Sequence, residues 1–125
     1  MPHRISLVVD DEPALRAYVA AILQREHFQT VEADNGADGF EAVRKREGEV
    51  ALIVTDVQMP GGDGLTLATS VRKTFPAVPI ILVSGHLRPD VDFEFVQKPF
   101  SPAALLQAVR NVLVAHRAAA YSRAS

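Results

Sequence analysis

Short runs of branched aliphatic residues recur along the chain with stretches of helical period between them, and this alternation narrows the possible folds more than any other feature. Ile5 to Val9, Ala51 to Val54 and Ile80 to Val83 are nearly continuous apolar runs, as parallel strands covered on both faces require. Phe28 to Ala33 and Phe93 to Val96 are more mixed, as edge strands would be. Leu15, Val19, Ile22 and Leu23 form one stripe behind Pro13, which predicts a helix from about Glu12 to Arg25. Ala37, Phe40 and Val43 mark a second helix, and Leu67, Val71 and Phe75 a third that Pro76 closes. Ser101 and Pro102 open the last as N-cap and first helical residue, with Leu105, Val109, Val112, Leu113 and His116 along one side. Strands alternating with helices predict an α/β fold, a doubly wound open parallel sheet with helices on both faces. Gly85 to Asp92 breaks the rhythm: it holds Pro89 and no apolar stripe, so a fourth helix there is expected to be short or absent. One domain over residues 1–125 is expected, ordered over about 4–117, with residues 118–125 fraying.

Composition removes several kinds of chemistry. The chain has no cysteine, so disulfide scaffolds, thiolate zinc sites and thiol nucleophiles are excluded. A formal net charge of -2 leaves no broad basic field, so neither direct DNA binding nor membrane binding is expected. The apolar run before Asp10 is too short for a signal peptide or membrane span, which makes the cytoplasm the expected location.

Polar residues recur at one kind of place. Asp10 and Asp11 follow the first run, Asp56 the third, Ser84 the fourth and Lys98 the fifth. Ligands of open α/β sheets bind at the carboxyl ends of strands, so these five side chains are expected to converge on one shallow pocket. Three carboxylates meeting there repel one another, each close pair by roughly 4 kcal/mol at about 4 Å and an effective dielectric near 20. A cation should share the site. Oxygen-only ligands favour Mg²⁺, which keeps positions for water and phosphate oxygens. Lys98 adds a compact positive charge and Ser84 a hydroxyl donor, so the pocket reads as one that accepts a phosphoryl group.

Three stretches, taken together, carry a resemblance: Leu7-Val8-Val9-Asp10-Asp11-Glu12-Pro13, Thr55-Asp56-Val57-Gln58-Met59-Pro60-Gly61-Gly62-Asp63-Gly64, and Lys98-Pro99-Phe100. In this order and at these separations the chain resembles, over roughly Ile5 to His116, the response regulator receiver domains of bacterial two-component systems. The resemblance implies a flavodoxin-like five-stranded sheet in the order 2-1-3-4-5. It implies that Asp56 accepts a phosphoryl group from a partner histidine kinase or phosphotransfer protein. It also implies that Asp11 ligates Mg²⁺ directly, Asp10 chiefly through water, and Gln58 through its backbone carbonyl. Ser84 takes the family's hydroxyl position, Lys98 that of its phosphate-binding lysine, and the Lys98-Pro99 bond is similar to one that is cis in the family. On phosphorylation Ser84 is drawn toward the new oxygens and Phe95 turns inward behind it. The chain departs from the family at residues 85–97, about two helical turns short of the usual span, so the family's output face is not carried over.

Other readings stand beside this one. A Mg²⁺-dependent phosphohydrolase with an Asp nucleophile would use the same sheet edge, but no cap domain is present to close over a small substrate. A receiver-like module that binds partners without phosphate would not need Asp10, Asp11, Asp56 and Lys98 intact. Asp10-Asp11-Glu12 alone could be an acidic helix start, and Asp63-Gly64 a turn and cap. His3, His27, His86 and His116 lack metal-ligand spacing, although His86 could border the pocket. The expected function is a stand-alone receiver, not an enzyme acting on other molecules. It would take phosphate on Asp56, dephosphorylate itself and signal through protein contacts.

Overall fold

The computed structural model describes residues 4–59, 64–85 and 92–124, with side chains described as far as residue 117. In chain order the elements are β1 (Arg4–Val9), α1 (Pro13–Arg25), β2 (Phe28–Ala33), α2 (Gly36–Lys45), β3 (Leu52–Asp56), α3 (Gly64–Thr74), β4 (Ile80–Ser84), β5 (Glu94–Gln97) and α4 (Pro102–Ala124). The five strands form one sheet in the order β2-β1-β3-β4-β5, and every neighbouring pair is parallel. This is the expected order, and the strand order reverses between β1 and β3.

The burial of the strands explains their composition. Every residue of β3 and β4 is buried, because both faces of the sheet are covered, whereas the edge strands β2 and β5 include half-buried and exposed positions. On one face Val8, Val54, Ile81 and Val83 pack with Leu23 of α1 and Leu105 of α4. On the other Leu7, Val9, Ile53 and Leu82 pack with Val43 of α2 and Leu67 of α3. Burying each such side chain contributes about 1.5–3 kcal/mol before the entropy of ordering is counted.

Several boundaries differ from the sequence reading. α4 is helical as far as Ala124, since no Gly or Pro interrupts it and Ala118, Ala119 and Ala120 favour helix. Phe75 lies just past the end of α3, its N–H donating to the Val71 carbonyl at 2.6 Å. β3 and β4 run on to include Asp56 and Ser84 themselves. Among the described residues no helix stands between β4 and β5; the rest of the expected short connection, residues 86–91 with His86 and Asp90, lies outside the described residues, as does Asp63.

One buried group in the core is unsatisfied. The Ser6 hydroxyl, in the middle of β1, is fully buried and has no hydrogen-bond partner among the described residues. A buried hydroxyl left unpaired costs more than its removal, so Ser6→Ala is expected to raise the unfolding free energy by about 1 kcal/mol. An unchanged or lower urea midpoint at constant slope would count against this.

Candidate functional site

The parallel register brings four strand ends close to level. Val9 lies opposite Thr55, Asp56 opposite Val83, and Ser84 opposite Gln97. The ladder then continues one step beyond the strands. Asp10 donates its N–H to the Ala33 carbonyl at 3.1 Å, Val57 to that of Val83 at 3.0 Å, and Lys98 to that of Ser84 at 2.8 Å. Residues far apart in sequence are thereby fixed at one sheet edge by backbone bonds, before any side chain is considered.

The side chains of Asp10, Asp11, Asp56 and Lys98 meet there. One carboxylate oxygen from each of Asp10, Asp11 and Asp56 lies within 4.8 Å of the others. The Lys98 ammonium sits 3.3 Å from Asp56 Oδ1 and 3.6 Å from Asp10 Oδ2. Asp10 and Asp56 are buried and Asp11 is exposed, so the cluster opens to solvent on the Asp11 side. Burial pushes the Asp56 carboxyl above its ordinary range; the Lys98 ammonium opposes the rise, Asp10 adds to it, and hydrogen bonds from Lys98 and the Gln58 N–H oppose it. One ammonium among three carboxylates leaves the cluster short of positive charge. The donors are oxygen only, closely spaced and open at the rim, which fits a small hard dication.

Ser84 is buried at the end of β4. Phe95, opposite Leu82, is half-buried and packs on the side of the sheet covered by α2 and α3. The Lys98–Pro99 bond is cis, as the resemblance implies. Gln58 is exposed beside Asp56. His27 is exposed, while His116 is half-buried with Nδ1 3.1 Å from the Val112 carbonyl oxygen; neither approaches the carboxylates as part of a metal-capable group.

Two contributors, Arg16 and Tyr18, are not marked in the sequence, and a third, Gly64, reads there only as part of a turn and cap. Arg16 donates from Nη1 to the Asp10 carbonyl at 2.7 Å and from Nε to Glu32 at 2.9 Å, holding the turn between β1 and α1. Gly64, the first residue of α3, donates its N–H to the Val57 carbonyl at 2.8 Å and passes close over the Asp56 backbone. Tyr18 projects from α1 toward Phe100. The sequence signal for Arg16 and Tyr18 is weak: both lie off the apolar stripe of α1, and their contacts are distant in the chain.

Known proteins similar in sequence and in fold agree with one another. A family model described as "Response regulator receiver domain" matches residues 6–110. The chain is 37% identical over 115 residues to "Sensor kinase CckA" of Brucella abortus, an alignment covering 86% of this chain and 12% of that protein. It is similar to a solved response regulator receiver protein from Sinorhizobium medicae, with a TM-score of 0.82 and 29% identity over 91% of this chain and 97% of the other. It also matches the receiver domain of the hybrid histidine kinase CckA, with a TM-score of 0.77 and 29% identity over 87% and 98% of the two chains. The chain spans about half or less of the length of the first curated relatives it matches. With the family model covering most of the chain, and the sheet order and acidic strand ends in place, this chain belongs to the response regulator receiver domains.

Proposed function

We propose that Asp56 is the phosphoryl acceptor of this receiver and that its donor is a phosphohistidine on a histidine kinase or phosphotransfer protein. One Asp56 oxygen forms the new P–O bond as the P–N bond breaks; its electron pair returns to the donor ring, which leaves as neutral imidazole when protonated on its other nitrogen. A carboxylate is a weak nucleophile, so positioning and charge balance must supply most of the acceleration. Lys98 neutralises one equatorial oxygen and the Ser84 hydroxyl donates to another. Mg²⁺, held by Asp11, Asp56 and the Gln58 carbonyl with Asp10 reaching it through water, would supply the charge that lets a phosphoryl group approach three carboxylates.

Hydrolysis of the acyl phosphate by water returns Asp56 and inorganic phosphate, so the signal decays without a second protein. While it lasts, Ser84 is drawn toward the phosphoryl oxygens and Phe95 fills the space behind it, altering the surface offered to a downstream protein. This reading places the chain in the cytoplasm; among the described residues no helix is long and apolar enough to cross a membrane.

The observation that carries the reading is the Lys98 ammonium lying between the Asp10 and Asp56 carboxylates. Incubation with acetyl phosphate and Mg²⁺ is expected to add one phosphoryl group by intact mass, with EDTA slowing labelling at least about tenfold. Absence of any adduct under conditions that preserve acyl phosphates would sink the proposal. Sustained turnover of a phosphomonoester would favour the phosphohydrolase instead.

A further inference from the structure

The apolar stripe of α1 accounts for its buried face but not for Tyr18, which is 40% exposed. Its hydroxyl donates to the Phe100 carbonyl at 3.3 Å, and its ring lies against that of Phe100 at 5.9 Å between centroids. Phe100 is two residues beyond Lys98, in the short connection from β5 to α4. Leu15, Tyr18, Gly85, Lys98, Pro99 and Phe100 border one hollow. Lys98 itself is anchored at its backbone by the bond to Ser84, yet its ammonium stands at the end of a flexible four-carbon stem.

We infer that Tyr18 is a positioning residue for Lys98. By holding Phe100 from α1 it fixes the connection that carries the ammonium, and so keeps that charge between Asp10 and Asp56. α1 then sets both sides of the site: Arg16 holds the Asp10 backbone, and Tyr18 holds the Lys98 segment. The inference rests on the phosphoryl-receiving role of Asp56. It concerns the geometry of the site and not the docking of a protein donor, so it is tested with a donor too small to touch α1.

The experiment measures the labelling rate with acetyl phosphate, Mg²⁺ affinity by titration calorimetry, and thermal melting for wild type, Tyr18→Ala and Tyr18→Phe. Tyr18→Ala is expected to label roughly tenfold more slowly, because small displacements of a charge-stabilising group cost rate steeply. Mg²⁺ affinity should stay within about twofold of wild type, since the carboxylates remain held from β1 and β3. Tyr18→Phe keeps the ring contact and should recover most of the rate. The decisive comparison is made in a Lys98→Ala background, over the longer times that variant needs. There Tyr18→Ala should slow labelling no further, because its effect runs through the missing ammonium.

The inference is overturned if Tyr18→Ala labels like wild type, if it slows the Lys98→Ala protein by the same factor, or if it weakens Mg²⁺ binding as much as it slows labelling. Should Tyr18→Ala fail to fold, Tyr18→Leu, which keeps apolar bulk without ring or hydroxyl, is read by the same criteria. A wild type that takes no phosphoryl group overturns the reading of Asp56 instead, so the two failures are distinguishable.

Discussion

Asp56→Asn is expected to gain no phosphoryl mass from acetyl phosphate at any Mg²⁺ concentration and, in the absence of the metal, to withstand more urea than wild type. The first outcome follows from chemistry. An amide oxygen at that position forms no stable acyl phosphate, and of the other two carboxylates Asp10 already accepts the Glu12 N–H at 2.9 Å while Asp11 is exposed. The second follows from electrostatics. Without a metal, the ionised Asp56 is destabilised by its burial and by Asp10 more than Lys98 and the Gln58 N–H stabilise it, since the net displacement of its carboxyl is upward. Replacing it by an isosteric neutral amide removes that cost while Lys98 keeps Asp10 as a partner. Mg²⁺ should reverse the ranking, because a ligand bound only by the native state adds stability in proportion to its affinity, and the amide is the poorer ligand. A variant that labels normally moves the acceptor elsewhere; one that unfolds earlier than wild type without metal contradicts the electrostatic account.

The same displacement sets a pH dependence. Between the ordinary carboxylate pKa and the raised value, the native state binds more protons at Asp56 than the unfolded chain does. The stability of the metal-free protein therefore carries a contribution that falls as pH rises through that interval and is level above it. Urea midpoints from about pH 4 to about pH 7 in EDTA should show this component in wild type and lack it in Asp56→Asn. Equal slopes for the two proteins would show that Asp56 titrates alike in both states.

How much of this was legible in sequence depends on whether a residue's role is local. Ile80 to Val83 and Leu52 to Val54 are unbroken aliphatic runs because both sheet faces are covered, so they identify central strands without reference to the rest of the chain. Asp10, Asp56, Ser84 and Lys98 could be brought together from sequence because each ends an apolar run, and parallel register does the rest. Roles that depend on distant partners were not legible. Nothing near Tyr18 marks Phe100 as its partner, 82 positions away. Nothing around Ser6 reveals that its hydroxyl is sealed without a bond. The helical continuation of α4 past Arg117 is not legible because its residues are small and polar, and an alanine-rich segment reads as easily as a tail as a helix. Asp63-Gly64 reads as turn chemistry, and the reason for its glycine is different.

Gly64→Ala is expected to lose at least about 3 kcal/mol of stability and to slow phosphoryl labelling severely. A Cβ on Gly64 would lie 1.8 Å from the Asp56 carbonyl oxygen, 2.8 Å from its carbonyl carbon and 2.8 Å from Thr55 Oγ1. The constraint is space, because the backbone of Gly64 is not in the left-handed region that favours glycine. The atoms it would strike offer no easy escape: the Asp56 carbonyl is main chain at the end of a fully buried strand, and it already accepts the Thr55 hydroxyl at 3.0 Å. Relief requires α3 to move off β3, breaking the 2.8 Å bond from the Gly64 N–H to the Val57 carbonyl and opening the packing of Leu67 and Val71. The alternative is for Asp56 to move, which displaces its carboxylate from Lys98 and Asp10. Either route couples fold and site, so the lowered melting temperature and the slowed labelling should appear together. A Gly64→Ala protein that melts and labels like wild type would show that β3 and α3 do not approach as closely as the structure has them.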